Sequence, residues 1–208
     1  MRVPTAVHKI ILAIALAACL PSLAFAKAPT WPDQAAALGK ARDWAGLLAH
    51  SRAWTKAEPE NPVAWFSLGE AYARLGRHRE AIDPFKEALR LKPDLADAWY
   101  SLGVAYGKLG SSQEEIEAYQ KALRFTPDYV SAWYNLGNAY EGLGRHREAI
   151  EAYREALRLK PDLAGAWNNL GVAYALSGNR NAALEAAQKL RRLDPQKGDR
   201  LLNQITGP

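Results

Sequence analysis

Three groups of side chains in this sequence have the types and spacing to do chemistry. Trp65, Trp99, Trp133 and Trp167 recur every 34 residues and could form an aromatic ligand stripe. His78 and His146 each stand between arginines (Arg77 and Arg79, Arg145 and Arg147), and a pair of imidazoles could ligate a metal or pass a proton. Glu114, Glu115 and Glu117 crowd one short stretch, as carboxylates in acid–base sites do. None of the three completes a reaction centre. There is no His-Glu-x-x-His, no phosphate-cradling glycine loop and no nucleophile-elbow serine. Four histidines and one cysteine leave little material for a metal centre. The two histidines share one position of a repeat and are expected at the exposed, solvated start of a helix. The glutamates read as a helix face near its positive N-terminus. The tryptophans read as packing between helices. No catalytic residue, metal or cofactor is expected, so the chain is not expected to be an enzyme.

The elements that carry these residues repeat on the same beat. Leu68, Leu102, Leu136 and Leu170 follow each Trp by three, and Gly69, Gly103, Gly137 and Gly171 come next. Tyr72, Tyr106, Tyr140 and Tyr174 come three later again. Gly76, Gly110, Gly144 and Gly178 punctuate, and Pro93, Pro127, Pro161 and Pro195 close each unit. Trp65, Leu68, Gly69 and Tyr72 fall on one stripe of an α-helix. The glycine beside each Leu lets a second helix approach closely, with Ala81 and Ala149 as the expected facing surface. Gly76 and Gly144 suit a left-handed residue ending the first helix. The prolines, followed by Asp94 or Asp162, stop the second. No unit can bury its own stripe, so neighbours must stack into one continuous core.

A longer period lies over the first. LGRHREAI at 75–82 recurs at 143–150, EALRLKPDLA at 87–96 recurs at 155–164, and GVAY at 103–106 recurs at 171–174. The array reads as a duplicated pair of units.

WFSLGEAY, WYSLGVAY, WYNLGNAY and WNNLGVAY, followed by Ala81-Ile82, Ala149-Ile150 and Ala183-Leu184, resemble the tetratricopeptide repeat, a 34-residue helix–turn–helix unit. The resemblance divides the chain into units 62–95, 96–129, 130–163 and 164–197. A degenerate copy falls at 28–61, where Trp31 and Pro59 keep register but Gln34, Ala35 and Leu38 replace the signature. Residues 198–208 are expected to form a capping helix. The implied fold is an all-α, right-handed superhelical solenoid of about five helix-turn-helix units.

In that family the first helices line a concave groove, and unit positions five, six and nine point into it. Here these are Phe66, Tyr100, Tyr134 and Asn168; Ser67, Ser101, Asn135 and Asn169; and Glu70, Val104, Asn138 and Val172. Aromatic rings give stiff apolar contact, and amides both donate to and accept from a peptide backbone. The resemblance therefore implies a non-catalytic scaffold or adaptor that binds a partner protein or peptide in the groove. The second positions, Val63, Asp97, Ser131 and Gly165, lack the Lys and Arg that family members use to clamp a C-terminal carboxylate. With few charges in the groove, binding is expected to depend only weakly on salt.

Two residues break the pattern. Pro84 stands where sister units have Ala118, Ala152 and Ala186, and should kink its helix. Glu115 replaces the small residue at the helix contact, so the turn must open or its side chain must reach water. Ser112 and Glu115 could form a capping box there.

Residues 1–26 read as a secretory signal: a basic start with Arg2, His8 and Lys9, an apolar run from Ile10 to Leu20, Pro21, and Ala24-Phe25-Ala26 before the cut. The alternative is a lipobox, Leu16-Ala17-Ala18-Cys19, with a lipid anchor on Cys19 as in an outer-membrane accessory protein of an envelope or pilus assembly machine. Either reading exports the chain, to the periplasm or beyond, with no membrane span after cleavage. The 208 residues are 49% hydrophobic and 24% charged, as in folded soluble proteins. Net charge is +5, falling to +3 once Arg2 and Lys9 are removed. That is too mild and mixed to predict nucleic-acid binding. Oligomeric state stays open.

Overall fold

A computed structural model describes residues 29–207, so the expected signal sequence, Cys19 and the expected cut after Ala26 lie outside the described residues. Eleven α-helices follow one another there: α1 Trp31–Lys40, α2 Trp44–Ala57, α3 Pro62–Arg74, α4 His78–Leu91, α5 Ala96–Lys108, α6 Ser112–Phe125, α7 Val130–Gly142, α8 His146–Leu159, α9 Ala164–Leu176, α10 Arg180–Leu193 and α11 Pro195–Thr206. Each packs on the helix before and after it, and successive first helices of the units also touch. The result is an all-α solenoid of stacked hairpins.

Turn chemistry ends the first helices. Gly76, Gly110, Gly144 and Gly178 have φ of +74°, +75°, +69° and +82°, a region that disfavours side chains. Each permits the same pair of back-bonds. Arg77 N–H donates to the Tyr72 carbonyl at 2.9 Å and Gly76 N–H to Ala73 at 3.0 Å, satisfying carbonyls that the helix end would leave open. At the other turn, the tryptophans act as pins. Indole N–H groups of Trp65, Trp99, Trp133 and Trp167 donate to the carbonyls of Pro59, Pro93, Pro127 and Pro161 at 2.7–2.8 Å. All four indoles are only partly buried.

The deepest packing belongs to another row. Phe85, Tyr119 and Tyr153, at one position of successive second helices, are 0–2% exposed. Their rings lie against Gly69, Gly103 and Gly137, where an added Cβ would come within 2.5–2.7 Å of the ring. The glycines therefore make room for these rings rather than chiefly for Ala81 and Ala149. In the last unit the ring position is Ala187, and Leu201 of α11 packs over Gly171 instead. The capping helix thus completes a packing site that its own unit leaves empty. It starts at Pro195, three residues before the expected 198, because Asp194 caps it through Lys197 N–H and Pro195 suits a first helical turn.

The degenerate unit closes the other end. Thr30 and Asp33 form a capping box, and α1 begins only at Trp31. Trp54 takes the register of Ala88, Ala122 and Ala156, stacks at 6.4 Å on Trp31 and is 1% exposed. A large ring fills the space that a short first helix leaves.

α4 continues through Pro84, which is buried in the array. Two local expectations change. α6 starts at Ser112 with Ser111 as cap and no side-chain capping bond, so no Ser112–Glu115 box forms. Glu115 is half-buried instead, in space provided by Gly107: a Cβ there would lie 2.5 Å from its Oε1. His78 and His146 are also not free surface residues. Both are partly buried, and each keeps a buried Nδ1 with no hydrogen-bond partner among the described residues.

Candidate functional site: the concave face

The first helices place the candidate residues in a row, and side-chain hydrogen bonds join each unit's part of it to the next. Tyr100 packs at 5.7 Å on Tyr119, Tyr134 at 6.0 Å on Tyr153 and Phe66 at 5.9 Å on Phe85. Each groove aromatic thus leans on the buried ring of its own unit. The sixth-position amides tie units together. Asn135 Nδ2 donates to the Tyr100 hydroxyl at 3.1 Å, and Asn169 Nδ2 to the Tyr134 hydroxyl at 3.4 Å. Asn169 also donates to Asn138 Oδ1 at 2.9 Å, and Asn168 donates to Asn169 Oδ1 at 3.1 Å. Ser101 Oγ donates to Glu70 Oε1 at 3.2 Å. Ser67 pairs backward with buried Ser51 at 2.7 Å. Val104 and Val172 are partly buried against the core beneath the row.

Several residues of this face escaped the sequence reading. The Tyr153 hydroxyl donates to Glu141 Oε2 at 2.6 Å and lies 2.8 Å from Asn138 Oδ1. Burial, and the negative charge of Glu141, raise its pKa far above the tyrosine range. Tyr119 lies beside Glu115 and is raised in the same way, by burial first. Burial raises the Glu115 carboxyl as well. Two units therefore place a carboxylate by the same buried tyrosine, one from the second helix and one from the first. Tyr129 stacks on Tyr100 at 4.9 Å and 28°, and its hydroxyl donates to Asp97 Oδ1 at 2.9 Å. The recurring aromatic at Phe85, Tyr119 and Tyr153 was visible at the 34-residue period. Tyr129 was not, since Leu95 and Leu163 hold its register.

Cavities occur on both faces. Between the second helices lie three of about 480, 360 and 440 Å³, each floored by a Trp, a Leu and a Tyr of the helix between them. Their walls mix both charges, as with Lys86, Arg90, Glu114 and Glu117. At the edge of the concave face a cavity of about 620 Å³ is lined by Asp94, Asp97, Asp128 and Tyr129. Among the described residues no helix is long and apolar enough to cross a membrane.

Tetratricopeptide repeat profiles match residues 130–163 and 164–197, and a TPR repeat profile matches 74–110 and 114–144. No curated protein matches the sequence significantly. Solved structures do. A crystal structure of MamA is 30% identical, with a TM-score of 0.73 over 81% of this chain and 92% of that one. MamA 41-end from Desulfovibrio magneticus RS-1 is 23% identical, with a TM-score of 0.73 over 80% and 94%. YrrB, described as a TPR protein with an unusual peptide-binding site, is 24% identical, with a TM-score of 0.72 over 81% and 88%. Repeat period, left-handed turn glycines and stacked hairpins agree with these matches, and the chain belongs to the tetratricopeptide repeat family.

Proposed function

We propose that this protein is an exported, non-catalytic adaptor that holds a peptide segment of a cell-envelope partner in its concave groove. The observation that carries the reading is the continuity of that face. Amides bond the tyrosine of the preceding unit across 35 residues of sequence, at Asn135–Tyr100 and Asn169–Tyr134. A face organised over three units suits a ligand that runs along it. Each amide keeps hydrogen-bonding capacity beyond the bonds it makes, and the tyrosine rings supply apolar area at low entropic cost. The peptide-binding site ascribed to YrrB gives independent support for a ligand of this kind on the same fold.

Site-specific photocrosslinking tests the reading. A photoreactive residue at Val104, on the groove, should yield a partner adduct in the periplasm. The same residue at Arg90, on the opposite face, should not. Adducts from Arg90 alone would move the site to the outer cavities. The intact mass of the recovered protein tests export. A chain starting at Lys27 fits the secreted form, whereas one starting at an acylated Cys19 favours the lipid-anchored accessory protein.

A further inference from the structure

Within the proposed groove, and resting on that reading, we infer that the bound segment is basic, with an Arg or Lys side chain seated among Tyr100, Tyr129, Asp97 and Glu70. The second, fifth, sixth and ninth positions of four units hold two acids, Asp97 and Glu70, and no Lys or Arg. Glu141 and Glu115 add carboxylates beside Tyr153 and Tyr119. The chain as a whole carries net charge +5, so this polarity is local.

The geometry at one end is that of a cation subsite. Tyr100 and Tyr129 stack at 4.9 Å and 28°, and both remain partly exposed. Asp97 accepts from the Tyr129 hydroxyl, which fixes the carboxylate beside the rings, and it joins no ion pair among the described residues. Asp94 and Asp128 line the adjoining cavity and are likewise without an ion pair there. Glu70 takes one bond from Ser101 and meets Arg74 at 3.6 Å, a pair whose cation is 59% exposed and so weakly held. Burial first, and then the hydrogen bond and charge of Asp97, push the Tyr129 hydroxyl well above its ordinary range. A cation over tyrosine faces with a carboxylate at their edge gains from both, and a guanidinium can stack and bond at once. The carboxylates among the described residues do not converge closely enough to hold a metal ion, so an organic cation fits this place better. With a basic segment in the groove, binding should weaken as salt rises.

Selection of random short peptides displayed on phage against the full chain tests this. The retained pool should be enriched in Arg and Lys. The best peptide, labelled and followed by fluorescence anisotropy, should lose about tenfold in affinity when its key Arg becomes the neutral isostere citrulline. Asp97→Asn should cause a loss of similar size. It should also remove most of the preference for Arg over citrulline, an effect that mere loosening of the fold would not produce. A retained pool without basic enrichment, or equal affinity for the Arg and citrulline peptides, overturns the inference and leaves the groove reading standing. Failure to enrich any peptide overturns both.

Discussion

Two aromatic rows run the length of this molecule, and they do different work. The tryptophans of the first helices are the conspicuous ones in sequence. Yet they are partly exposed and spend their indole N–H groups pinning the proline turns. The row of Phe85, Tyr119 and Tyr153 is quieter in sequence but sealed, and it sits over glycines where an added Cβ would crowd the rings. The groove tyrosines lean on this second row. The face that would meet a ligand is therefore shaped by residues that the ligand need not touch.

The largest expected effect comes from breaking the sealed row. Tyr153→Ala should destabilise by about 3–5 kcal/mol, as for other buried aromatic truncations, and it also strands Glu141 and Asn138. Trp133→Ala should cost less, about 1–3 kcal/mol, because the indole is already part-wet. Chemical denaturation of the two variants would rank the rows. A costlier Trp133→Ala would reverse the comparison.

Filling the glycine comes next. Gly137→Ala would put a methyl 2.5 Å from the Tyr153 ring, and strain of about 1–3 kcal/mol should follow. Gly142→Ala, where nothing lies within 4 Å, is the matched control and should change stability little. Equal melting temperatures for the two would show that the ring can move aside cheaply.

The smallest effect concerns the acids beside the row. Burial raises the Glu115 pKa in the fold, so the charged form opposes folding at neutral pH. That cost should shrink as pH falls through the raised value toward the ordinary 4.5, and below it both states are protonated. Glu115→Gln should therefore stabilise modestly at pH 7, since water screens a half-exposed carboxyl, with the gain fading in acid. Urea titrations across pH would record this. A gain that stayed constant with pH would assign it to packing instead.

Much of the fold was legible because it is written many times over. Each turn glycine appears in four registers, and all four have the left-handed φ that the motif needs. The candidate groove was legible by position, since the fifth and sixth places do carry a linked row of tyrosines and amides. What escaped is what occurs once. Tyr129 differs from Leu95 and Leu163, and Glu115 meets its compensating Gly107 across two helices, a pairing that no single-helix pattern reveals. The tryptophans were half legible: they do pack against the core as their period implied, but the indole bond that pins each proline turn is not written in the spacing.

The central claim, that the concave face holds the partner, is tested most directly by affinity on whichever protein crosslinking recovers. The double variant Tyr100→Ala, Tyr134→Ala should be compared with His146→Ala, which lies off that face, each measured well below its own melting temperature. The account predicts that each tyrosine loss weakens binding by roughly 1–3 kcal/mol while His146→Ala leaves it unchanged. Equal affinity for the two folded variants would contradict it.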